Sequence, residues 1–135
     1  MAGYSGTPLQ KKLGIKPGFE IVVFNEPADY WDLISPLPDR IKISKKPKKG
    51  TIDFVHIFVR EMKVFEKEFA RHRDYLKKDG MLWVSWPKKA SKVVTDLDET
   101  KVREFGLENG LVDIKVCAVD EVWSGHKFVY RLSDR

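Results

Sequence analysis

The stretch "LVDIKVCAVDEVWSGHKFVYRL" (111–132) decides the fold. "LVDIKVCAV" and "HKFVYRL" both read as strands, rich in β-branched and aromatic residues. Only "DEVWSG" separates them, a connection of hairpin size with no room for a helix. The two strands must therefore run antiparallel. The segments before them alternate differently. "EIVVFN" (20–25) and "IDFVHIFV" (52–59) are continuous apolar runs, as in strands covered on both faces. "MLWVSW" (81–86) is a third such strand. Strands of this kind, interleaved with helices, predict a mostly parallel sheet with right-handed crossovers.

The helices follow from spacing and punctuation. Met62, Phe65, Phe69, His72 and Leu76 form one apolar stripe and predict a helix over 61–78. Lys77 and Lys78 suit its C-terminal dipole, and Gly80 suits a left-handed cap. A helix is predicted from Thr95 or Asp96, with Asp98 and Glu99 in its first turn and Gly110 after its end. Short helices are predicted from Thr7 as N-cap with Pro8 at the first helical position, and from near Pro27 until Pro36 and Pro38. "KPG" (16–18) reads as a turn. "RIKISK" (40–45) alternates and reads as a half-buried strand near an edge.

With 135 residues the chain has the size of one domain with a sizeable core, residues 1–8 being an N-terminal arm. No apolar run approaches the length of a membrane helix, and the start has no apolar signal-peptide core. The single cysteine, Cys117, allows no internal disulfide. These features predict a cytoplasmic protein. The net charge of +5 is concentrated in "KISKKPKKG" (42–50). Such a block is either a solvated loop or a site for nucleic-acid phosphates.

The residues that carry chemistry are few. His56 lies mid-strand and reads as a buried, hydrogen-bonded histidine. His72 reads as packing on its helix stripe, and His126 as exposed after the hairpin turn. Cys117 lies within a strand and reads as inert. Asp120 and Glu121 open the hairpin connection, where acids are ordinarily solvated. No histidine pair has a metal-ligand spacing, and no metal is expected. Trp83 and Trp86 differ by an odd number and should point to opposite faces, Trp83 into the core. Open α/β sheets collect ligands outside the carboxyl ends of their strands. The residues expected there are Asn25, Glu26, Arg60, Ser85, Trp86, Lys88, Lys89 and Ser91. With three cations among eight residues, the expected ligand is a small anion.

A parallel α/β sheet that ends in an antiparallel hairpin resembles the class I S-adenosylmethionine-dependent methyltransferase fold, a Rossmann-like three-layer sandwich. "KKLGIKPGFEIVVFN" is similar to the lead-in to strand one of those enzymes. "IDFVHIFV" is similar to their fourth strand, "KKDGMLWVSW" to a helix end and fifth strand, and "ENGLVDIKVCAV" to the turn into the penultimate strand. The resemblance implies that the last strand inserts beside 81–86. It also implies a glycine-rich loop after strand one and an acid at the end of strand two. This chain has "FNEPADYW" and "RIKISKKPKK" there, with no glycine between Gly18 and Gly50. It is also shorter by about one strand–helix unit between 45 and 52. The expected form is a reduced methyltransferase-like domain without the usual cofactor site. The chain further resembles a family of short bacterial proteins with no established activity, through "GYSGTPLQKKLGIK" (3–16), "LWVSWPKKAS" (82–91) and "VDIKVCAVDEVWSG" (112–125). Three functions are carried forward. The first is a non-enzymatic domain without a cofactor, binding a small anion or a protein partner. The second is a methyltransferase with an altered site. The third is a nucleic-acid binder using 42–49.

Overall fold

A computed structural model of the chain describes residues 8–135. The expected N-cap Thr7 and most of the N-terminal arm lie outside them. Six strands form one sheet in the order β2-β1-β3-β4-β6-β5. They are β1 (Glu20–Phe24), β2 (Lys42–Ile43), β3 (Ile52–Phe58), β4 (Leu76–Pro87), β5 (Leu111–Ala118) and β6 (Trp123–Tyr130). The β1–β2, β1–β3 and β3–β4 pairs are parallel. β6 runs antiparallel to both β4 and β5, with Trp83 opposite Lys127 and Ser85 opposite Gly125. The helix-free connection makes β5 and β6 an antiparallel pair, and the last strand inserts beside β4 as the resemblance implies.

The helices are α1 (Leu9–Leu13), α2 (Tyr30–Leu33), α3 (Met62–Arg73) and α4 (Glu99–Glu108). Val55, Ile57, Leu82, Val84, Trp86 and Phe128 pack against Phe65, Phe69 and Val102 of α3 and α4. Phe54, Phe58, Met81 and Trp83 pack on the opposite face with Leu13, Ile15, Tyr30 and Ile34. Strand alternation divides the two cores, and it sends Trp83 and Trp86 to opposite sides as expected. Gly106 lets α4 lie directly on β6. A Cβ there would overlap the ring of Phe128. Among the described residues no helix is long and apolar enough to cross a membrane.

Several boundaries differ from the sequence expectation, each for a local reason. α3 ends at Arg73, not 78. Leu76 keeps the helical spacing but opens β4, where it pairs with Ile52. Lys77 bonds the Asp53 carboxylate at 2.9 Å instead of facing a helix terminus. Gly80 is not a left-handed cap. It lies in β4, where a Cβ would come within 2.9 Å of the Ile52 carbonyl, beside the register shift between Ile52 and Phe54. Pro8 is the N-cap of α1 and not its first residue. α4 begins at Glu99, with Asp98 as N-cap accepting from the Lys101 N–H. His126 is buried, not exposed. β6 starts three residues earlier than expected because the Asp120 carboxylate accepts from the N–H groups of Val122 and Trp123, both at 2.8 Å. That leaves Asp120 as a turn-forming acid. β2 is two residues long and both are exposed, so it is an edge strand without the expected half-burial.

Candidate functional site

The carboxyl ends of β1 and β3 meet where the strand order reverses. Asn25 terminates β1 with a φ of 57°. That conformation is costly for most side chains and tolerated by Asn. It turns the amide across the gap, where Nδ2 donates to the Phe58 carbonyl at 3.3 Å. The segment after β4 docks on the same edge. Thr95 Oγ1 donates to the Arg60 carbonyl at 2.6 Å, and the Met62 N–H donates to Asp96 Oδ1 at 2.7 Å. Asp96 thereby places a carboxylate at the N-terminus of α3, the natural anion position of that helix.

The eight residues expected at this edge do not form one cluster. Asn25 and Arg60 line a hollow of about 400 Å³ with Glu61, Val64 and Val94. Lys89 lines a neighbouring hollow of about 760 Å³ formed largely by 92–101, and the two share Val94. Lys88 donates its N–H to the Val122 carbonyl, and its own carbonyl accepts from Ser91 Oγ at 2.7 Å. Ser91 Oγ also accepts from the Val93 N–H, so that hydroxyl closes a turn. Ser85 is fully buried on the α1/α2 face. Trp86 is buried on the α3/α4 face, with its ring stacked 6.0 Å from His126. Neither side chain lines the edge as the sequence suggested. Glu26 accepts from Trp31 Nε1 at 3.1 Å and faces a different cavity.

Ser85 belongs to a buried polar cluster. Its Oγ lies 2.7 Å from His56 Nε2, and the Tyr30 hydroxyl lies 2.9 Å from His56 Nδ1. The His56 ring stacks on Phe58 at 4.2 Å. A serine bonded to a histidine has the form of a nucleophile and its base. Here all three residues are wholly excluded from solvent, so no substrate reaches the hydroxyl. Burial holds the His56 pKa down to about 3 and pushes the Tyr30 hydroxyl up, so both are neutral. The cluster satisfies buried polar groups between β3, β4 and α2. Cys117 is buried too, and burial raises its thiol pKa, as suits an inert side chain.

The cavity that the sequence did not suggest lies over β1 and β2. It is an open groove of about 600 Å³. Val22, Phe24 and Ile43 form its floor, Arg71 and His72 of α3 with Tyr75 just beyond that helix one wall, and Ser44, Lys45 and Pro47 the other. Phe24 meets the His72 ring at 5.5 Å, which joins floor to wall. His72 Nδ1 contacts the Glu68 carbonyl at 2.8 Å, and burial lowers the pKa of the ring. The groove exists because the chain passes from β2 to β3 without an intervening helix. α3 and α4 cover β3, β4 and β6 on this face and reach β1, where Val22 is buried and Phe24 half-buried, whereas Ile43 of β2 is 46% exposed. The continuous apolar run of β1 hid this, since periodicity alone does not tell a covered strand face from an open one.

Comparison with known proteins bears on the fold. No family model and no curated protein matches the chain. Solved structures do. A SAM-dependent methyltransferase from Aquifex aeolicus aligns over 89% of this chain and 86% of its own, with a TM-score of 0.59 and 14% identity. A TehB-like SAM-dependent methyltransferase from Corynebacterium glutamicum aligns over 96% and 91%, with a TM-score of 0.57 and 10% identity. DhpI, solved as a complex with SAH, aligns over 93% and 83%, with a TM-score of 0.63 and 10% identity. The domain therefore has the class I SAM-dependent methyltransferase-like fold. At these identities the likeness speaks for architecture and not for activity.

Proposed function

We propose that this domain transfers no methyl group and that it binds a protein partner in the groove over β1 and β2. The observation that carries the reading is the open apolar face beside α3. Ile43 is 46% exposed beside half-buried Phe24, and apolar surface left open beside a helix is a cost unless something covers it. The cofactor-free part rests on the strand ends. Asn25 spans from β1 to the Phe58 carbonyl where the resemblance implies a glycine loop, and Pro27 fixes the backbone two residues later. Lys45 follows β2 where an acid is implied, and Asp96 fills the N-terminus of α3. These residues do not fit S-adenosylmethionine.

A small anion at the carboxyl edge is the second reading. It is favoured by Arg60, whose guanidinium has no carboxylate partner among the described residues, with Lys88 and Lys89 in the adjoining turn. It ranks lower because Asp96 already holds the helix position an anion would take. The altered methyltransferase and nucleic-acid readings rank below both.

A photo-cross-linking residue at position 43, compared with one at position 114, tests the partner reading in the host cell. Ile114 is 56% exposed on β5 at the far edge of the sheet. A discrete protein adduct from position 43 and none from 114 is expected. No adduct at 43, or the same adducts from both positions, would overturn the reading.

A further inference from the structure

Resting on that reading, we infer that the groove takes about two turns of an amphipathic helix, flanked by acidic residues, from the partner. Length comes first. The groove takes Val22, Val23 and Phe24 from β1, roughly 10 Å of strand, which about seven helical residues span. The wall is α3, and a helix laid beside it would rest on the same face at the ordinary spacing of packed helices.

A helix fits better than an added strand. The sheet ends here at β2, which pairs with β1 through only Lys42 and Ile43. So short an edge, bearing lysine and followed by Pro47, offers almost no ladder to extend. The apolar surface lies above the sheet and not along its edge.

Charge sets the flank. The cations lining the groove are Lys45 and Arg71, and the neighbouring segment adds Lys46, Lys48 and Lys49. Among the described residues the one acid in the lining is Glu26, whose carboxylate accepts from Trp31 Nε1. Arg71 has a loose contact to Glu68 at 3.6 Å, and Lys45 has no ion pair among the described residues. His72 stays neutral through burial and adds no charge. An acidic helix is thus attracted along its length and a basic one repelled.

The test uses fluorescein-labelled peptides of about 14 residues in an anisotropy titration. One carries Leu and Ile at helical spacing with glutamate flanks, one the same apolar face with lysine flanks, and one the scrambled acidic sequence. A single-stranded RNA oligonucleotide is the fourth probe. The acidic helix should bind at least about tenfold tighter than the other three, and about 0.5 M salt should weaken it. The Lys45→Glu/Arg71→Glu and Ile43→Asp variants should each lose about tenfold or more, while Lys88→Glu/Lys89→Glu should not. Circular dichroism and melting curves identify any variant that fails to fold. Equal binding of the basic or scrambled peptide, tighter binding of RNA, or indifference to Ile43→Asp would overturn the inference. An adduct at position 43 without acidic-helix preference removes this inference alone, and absence of both removes the partner reading with it.

Discussion

Lowering the pH from about 7 to about 4 should remove about 3 kcal/mol of folding stability through His56 alone. The ring is wholly buried, and its burial depresses its pKa to about 3 from the ordinary 6.5. The unfolded chain therefore takes up a proton below about pH 6.5, while the folded chain refuses it until about pH 3. The stabilising term is present in full above the unfolded value and is lost as pH falls toward the folded one. His72 acts in the same direction, since burial lowers its pKa too. Urea unfolding at pH 7, 5.5 and 4 measures the slope. His56→Phe should be less stable at pH 7, because the Tyr30 and Ser85 hydroxyls lose their partner, at about 1–3 kcal/mol. It should also lose much less stability on acidification. An unchanged acid slope in that variant would show that the ring is not held neutral by burial.

Trp83→Ala should cost about 4 kcal/mol, a large fraction of the stability of a domain this size. Trp83 has no exposed surface, and its Nε1 donates to the Leu13 carbonyl at 2.9 Å. One side chain thus fills the core under α1 and fastens the end of that helix to β4. Trp83→Phe keeps most of the volume and loses the bond, at about 1–2 kcal/mol. Denaturant midpoints of the two variants separate the contributions. Similar losses in both would place the weight on the hydrogen bond and not on packing.

Particular residues show what the sequence could convey. The hairpin at 111–132 told the antiparallel pairing because a six-residue connection leaves no room for a crossover, while the place of β6 beside β4 was legible only through the resemblance. Trp83 and His56 were legible because alternation and a continuous apolar run both bury them. Leu76 misled because a spacing of four serves a helix, while its pairing with Ile52 depends on a distant strand. His126 misled because the Asp120 carboxylate shortens the turn, which local composition does not reveal. At the candidate site, Asn25 and Arg60 line one hollow. Ser85 was misplaced because strand direction was read without the face it shares with His56. The groove was invisible for a different reason. It arises from the absence of a covering helix, and no residue in β1 marks that absence.

We propose a methyltransferase-like sheet in which Asn25, Lys45 and Asp96 stand where the resemblance implies the cofactor's contacts. Isothermal titration of the purified protein with S-adenosylmethionine tests it most directly. No saturable heat up to about 1 mM ligand is predicted, a binding free energy weaker than about −4 kcal/mol. A dissociation constant in the low micromolar range, about −8 kcal/mol, would contradict the account and return the domain to the methyl-transferring enzymes whose fold it shares.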